Sequence, residues 1–137
     1  MPTPEEFEVA GLLLRKAASD LSAARALARD PDQQDDVVGF HAQQAVEKSL
    51  KAVLAVRGFE IPRTHDLDLL TRLVARDPDD FSGALVGAKD LSPWAVATRY
   101  DDIEATLDRG AAVGVAEKIL IWARDRVEAA PGDENIG

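Results

Sequence analysis

The 137-residue chain has no cysteine. That removes a disulfide framework, a thiolate zinc site and a cysteine nucleophile together. It also lacks any uninterrupted apolar run approaching the roughly 20 residues needed to cross a bilayer, although apolar residues make up 46% of it. Aromatic residues are scarce at 5%, leaving few platforms for stacking single-stranded bases. Cations are outnumbered as well. The formal net charge of −9 opposes a broad DNA- or RNA-binding surface, because such binding is driven by neutralising phosphates with Lys and Arg. Met1 to Glu8 carries no basic region followed by an apolar stretch, so a secretory signal is not expected and the expected location is the cytoplasm.

Reaction motifs are missing too. No metalloprotease, calcium-loop or nucleophile-elbow pattern occurs, and Gly83 to Asp90 lacks the glycine spacing and the Lys-Ser/Thr pair of a phosphate loop. Neither a cofactor nor a metal is implied.

What the sequence does contain is helical periodicity, in a length suited to one domain. Phe7, Ala10, Leu14, Ala17, Leu21, Ala24 and Ala28 alternate spacings of three and four, which places them on one stripe of a long first helix. Thr3-Pro4-Glu5-Glu6 supplies its start, with a capping hydroxyl, proline in the first turn and acids at the positive dipole end. Asp30-Pro31 ends it, and Asp30 to Asp36 reads as a polar connection. Val38, Ala42, Ala45, Ser49, Ala52 and Val56, widened by Val46 and Val53, form a second long helix that stops at Gly58. A link this short predicts an antiparallel hairpin.

Phe59 to Arg63 reads as a loop, after which Thr64 or Asp66 caps a shorter helix bearing Leu67, Leu70, Leu73 and Val74. A weaker helical segment is expected over Asp80 to Leu91, broken by Ser92-Pro93 before Trp94. Ala112, Ala116, Ile119, Leu120, Ala123 and Val127 mark a long terminal helix. No strand pattern competes. The predicted fold is therefore all-α, an up-and-down bundle of four to five helices over residues 1–130, with 131–137 a flexible polar tail. Trp94 and Trp122 read as core or interface aromatics.

The densest polar stretch is Phe40-His-Ala-Gln-Gln-Ala-Val-Glu-Lys-Ser-Leu-Lys. Gln44, Lys48 and Lys51 share a helix face, with Gln43 and Glu47 beside them. One reading is a solvated face laced by Gln43–Glu47 and Glu47–Lys51 pairs. The other is an anion site, because Phe40 to His65 holds Lys48, Lys51, Arg57 and Arg63 against Glu47 and Glu60, a local excess of two positive charges in an acidic chain. His65 is either a ligand or acid–base group, or part of a helix start bonded to nearby backbone.

Four stretches in order resemble the HEPN domains (higher eukaryotes and prokaryotes nucleotide-binding). They are Ala18-Ser-Asp-Leu-Ser-Ala-Ala-Arg-Ala-Leu, Gln43-Gln-Ala-Val-Glu-Lys-Ser-Leu-Lys-Ala, Arg63-Thr-His-Asp-Leu and Arg99-Tyr100. The resemblance spans roughly Ala10 to Val127. It implies a helical bundle that pairs as a homodimer, with a polar cleft that binds nucleotide or RNA, and a partner protein of the minimal nucleotidyltransferase class in a two-component system. Together with the local excess of cations, it points to Gln44, Glu47, Lys48, Lys51, Arg63, His65, Arg99 and Tyr100 as candidate ligand contacts. Many relatives are ribonuclease toxins of toxin–antitoxin pairs that carry an Arg about four to six residues before a His. Here Arg29 is the nearest Arg ahead of His41, and Arg57 and Arg63 precede His65 with seven and one intervening residues, so no catalytic residue is assigned. Arg99-Tyr100 also continues into Asp101-Asp102 where relatives usually have proline, and Arg99 could tie to Asp101, Asp102 or Glu47 instead of a phosphate. A divergent ribonuclease using His65 and a non-catalytic interaction partner are the alternative functions.

Overall fold

A computed structural model describes residues 1–76, 83–95 and 106–132. The first helix, α1, spans Pro4–Ala28, and Thr3 caps it through a reciprocal box: its hydroxyl accepts from the Glu6 amide while the Glu6 carboxylate accepts from the Thr3 amide. The second, α2, spans Asp35–Val56. It begins inside the stretch expected to be connection, since Asp35 and Asp36 stabilise a first turn by facing its dipole. It ends as expected at Gly58, whose φ of 77° only glycine adopts without cost. The Phe59 amide there donates to the Leu54 carbonyl and the Gly58 amide to Ala55, closing a Schellman cap.

The two helices run antiparallel. Ala10, early in α1, packs with Ala52, Ala55 and Val56 late in α2, while Ala17, Leu21 and Ala24 share the main core with Ala42 and Ala45. Alanines along both stripes let the backbones approach closely. The third helix, α3, spans Leu67–Val74, and Asp66 caps it by accepting from the amides of Asp68 and Leu69. Thr64 supports the cap by accepting from the Asp66 amide. The last helix, α4, spans Arg109–Ala129 and buries Ala112, Ala116, Ile119, Leu120, Trp122 and Ala123 against the hairpin. No strand occurs among the described residues. Nor is any helix among them long and apolar enough to cross a membrane.

The expected break at Ser92-Pro93 is not found. A 3-10 helix runs through both residues, Ala88–Trp94, preceded by a 3-10 turn, Gly83–Leu85. Tertiary contacts override the proline: the Ser92 hydroxyl accepts from the Leu67 amide at the start of α3, and Trp94 is buried in the main core. Trp94 lies directly on Gly39 of α2, where an added Cβ would come within 2.7 Å of the indole. The expected start at Asp80 and the tail over 133–137 lie outside the described residues.

Arg109 pins the far end of the hairpin. Its Nε donates to Asp35 Oδ1 at 2.7 Å, and its terminal nitrogens donate to the carbonyls of Leu27, Ala28, Asp30 and Gln33. The guanidinium thereby satisfies orphan carbonyls at the end of α1 and the link to α2. The same hydrogen bond, against an opposing effect of burial and with help from the Leu107 amide, holds the Asp35 carboxyl below its ordinary range.

Gly39→Ala is expected to destabilise the fold by roughly 1–3 kcal/mol, because the indole has to move out of a packed core. Denaturant unfolding of the two proteins reads this directly; unchanged stability would mean that Trp94 does not seat on α2.

Candidate functional site

The central helix α2 is covered on nearly every side. From Val38 to Val56 only Phe40, His41, Gln44, Lys48 and Lys51 are partly open to solvent. At 100° per residue, His41, Gln44, Lys48 and Lys51 fall within about 80° of one another, so they form a single seam between α1 and the loop that precedes α3.

Gln43 and Glu47 border this seam but are buried, Glu47 being only 4% exposed. The expectation of a solvated face is therefore corrected: the helix-spaced pairs exist, but inside the bundle. Lys51 Nζ donates to Glu47 Oε2 at 2.9 Å, and Gln43 Nε2 donates to Glu47 Oε1 at 3.0 Å. Gln43 Nε2 also lies 3.3 Å from the His65 carbonyl, and its own Oε1 accepts from Gln44 Nε2 at 2.8 Å. His65 Nδ1 completes the shell at 2.7 Å from Glu47 Oε1. Burial alone pushes the Glu47 carboxyl up, but the hydrogen bonds from Lys51, Gln43 and His65 outweigh it and hold the group below its ordinary 4.5.

Across the seam a second carboxylate repeats the pattern. Asp20, from α1, receives Lys48 Nζ on Oδ2 at 2.5 Å and faces His41 Nδ1 through Oδ1 at 3.0 Å. Phe40 stacks edge-on against the His41 ring at 5.4 Å. Each carboxylate thus holds one imidazole on one oxygen and one ammonium on the other. Because an ionised carboxylate only accepts, Nδ1 carries the proton in both contacts, and the neutral ring keeps Nε2 as an acceptor. Neither Nε2 has a partner among the described residues.

The structure therefore brings together Gln44, Glu47, Lys48, Lys51 and His65 among the candidate contacts, keeps Gln43 beside Glu47 as the spacing predicts, and adds Asp20 and His41. The two lysines are not bare cations; each is already paired with a buried or half-buried acid. His65 is oriented by a side-chain carboxylate, while its backbone carbonyl accepts from Gln43. Arg63 is exposed on the adjoining loop. Arg57 serves the fold instead, its Nη1 donating to the Val74 carbonyl at the end of α3. Arg99 and Tyr100 lie outside the described residues. Asp20 was missed because no local spacing marks it: it sits 28 positions from Lys48 and 21 from His41. Its one available signal was an acid on the otherwise Ala- and Leu-rich inner side of α1.

No group of three or more His, Cys, Asp or Glu residues among those described could hold a metal ion.

The depressed Glu47 carboxyl contributes stability that is fully present above pH 4.5 and is lost as pH falls through its lower folded value. Glu47→Gln is expected to cost roughly 3 kcal/mol at pH 7, by leaving the 13%-exposed Lys51 without its acid. It is also expected to flatten the decline of stability below pH 4.5. Urea unfolding from pH 7 to pH 3 tests both; parallel pH profiles for the two proteins would show that Glu47 is not held ionised by this network.

The comparison with known proteins gives a family. A family model described as HEPN domain matches residues 10–126, well over half of the chain. Neither a curated protein nor a solved structure matches.

Proposed function

The chain belongs to the HEPN domain family, and we propose that it is a nucleotide- or RNA-binding module whose ligand lies along the open seam of α2. One observation carries this reading. A helix buried almost all round stays open along a single stripe, and that stripe is lined by His41, Gln44, Lys48, Lys51 and, from the facing loop, His65. A purely structural face would be expected to be apolar where it is covered and loosely ordered where it is open. Here the four polar groups on α2 are partly buried, His65 is exposed beside them, and each of the five is oriented by a second side chain, which lowers the entropic cost of binding. The ammonium groups retain unused N–H donors for a phosphate oxygen, while Gln44 Oε1 supplies an acceptor for a ribose hydroxyl or base N–H group.

The same proposal includes homodimerisation. Val9 and Leu12 of α1 and Phe59 after α2 are exposed at 42%, 47% and 37%, and Val9 and Phe59 line a shallow apolar depression with Ala55 and Ile61. A second copy would remove this surface from water. Partnership with a minimal nucleotidyltransferase is a further part of the proposal and rests on family membership.

Thermal melting against mononucleotides and short RNAs tests the binding site. A ligand at about 100 times its Kd adds roughly 2.7 kcal/mol, and Gln44→Glu, which is nearly isosteric and puts a negative charge in the seam, is expected to abolish the shift. A shift unchanged in Gln44→Glu would place the ligand elsewhere. Light scattering checks the dimer: the wild type is expected at about twice 14.8 kDa, and Leu12→Glu at the monomer mass. A wild-type monomer sinks that part of the reading.

A further inference from the structure

The repeated unit on the two sides of the seam has an electrostatic consequence. Asp20 and Glu47 carry two negative charges, and Lys48 and Lys51 carry two positive ones. With neutral imidazoles the seam has no net charge, in a protein whose overall charge is −9. A phosphodiester entering here meets ammonium groups already committed to acids, and two acids that repel it. Of the four cations counted in the sequence, Arg57 is turned to the Val74 carbonyl and Arg63 stands on the exposed loop, so only Lys48 and Lys51 line the seam, and each is matched by an acid.

The imidazoles supply what is missing. Each is held by Nδ1 on a carboxylate and leaves Nε2 without a partner among the described residues. A proton added at Nε2 converts an acceptor into a donor and adds one positive charge on a ring already held against a carboxylate. His65 is 66% exposed, so both proton and ligand can reach it. His41 is more enclosed, with 29% of its side chain exposed.

We propose that the α2 seam is a proton-coupled phosphodiester site, in which His41 and His65, each seated on its own carboxylate–lysine pair, take up protons as the anion binds. This rests on the binding reading given above and adds to it the charge state of the ligand and its dependence on pH. The charged groups around His41 are Asp20 from α1 and Lys48 from α2. Those around His65 are Glu47 and Lys51 from α2, with Arg63 and Asp66 in its own loop and Asp68 in the first turn of α3. By linkage, a ligand that prefers the protonated ring raises proton binding, and acid raises ligand affinity to the same degree.

Isothermal titration of the full chain with a short oligouridylate lacking terminal phosphates provides the test. Neither the diester nor the base changes charge between pH 6 and 8, so any proton taken up belongs to the protein. Titrations in buffers of different ionisation enthalpy count those protons. Uptake is expected on binding, with affinity falling as pH rises from 6 to 8, by at most about tenfold per pH unit for each proton taken up. His41→Gln and His65→Gln, which keep a side-chain N–H donor for the carboxylate, are each expected to reduce the uptake, with folding checked by thermal melts. The 15N shifts of the imidazole rings provide a readout that needs no variant, moving toward imidazolium as RNA is added. Binding without proton uptake, or uptake undiminished in both variants, overturns the coupling and leaves the binding reading standing. No binding at pH 6 or pH 8 overturns both.

Discussion

A carboxylate inside a helical bundle has to be compensated, and much of the geometry around α2 follows from how Glu47 is. Its own helix supplies Lys51 one turn ahead and Gln43 one turn behind, which the period of the α-helix places within reach. Those two donors leave one side of the carboxylate unfilled, and the loop before α3 fills it with His65. Gln43 then reaches the backbone of the same residue, so the loop is held at two points. With the loop fixed, Asp66 stands at the start of α3 as its cap, and the Leu67 amide meets the Ser92 hydroxyl of the 3-10 helix. One buried charge thus helps to settle the entry of a helix that shares only part of its surface with α2.

Much of the fold was legible in the sequence because helices are local objects. The stripes of α1, α2 and α4, the Thr3 box, the Gly58 stop and the candidate cap at Asp66 all depend on residues within a turn or two of one another. The segment around Ser92-Pro93 departs from its local pattern for the complementary reason: its conformation is fixed by Trp94 on Gly39 and by Ser92 on α3, contacts that no local pattern encodes. No local pattern marks Arg109, although it gathers four carbonyls and a carboxylate, since all of those partners lie more than 70 positions away in the sequence.

The candidate site divides the same way. Gln44, Glu47, Lys48 and Lys51 were visible as one helix-spaced group, and the Glu47–Lys51 contact follows from spacing alone. That Glu47 is buried, that His65 meets it, and that Asp20 and His41 repeat the arrangement were not visible, because His65 and Glu47 are 18 positions apart and Asp20 belongs to another helix. Counting charges along the segment gave an excess of cations; counting them in space gives balance. Arg57, Arg63 and Glu60 take no part in the seam's contacts, and α1 delivers one further acid, Asp20, across the hairpin.

The Arg109 cluster also bears on the order in which the chain can assemble. The hairpin of α1 and α2 closes over a short link, whereas the contact between Arg109 and Asp35 closes a loop of 74 residues. By the logarithmic growth of closure entropy, that longer loop costs about 2 kcal/mol more to form. The carbonyls at the end of α1 are therefore expected to stay hydrated until α4 docks, which makes α4 a late addition to a hairpin that condenses first, and places Arg109 among the residues that slow unfolding more than they speed folding.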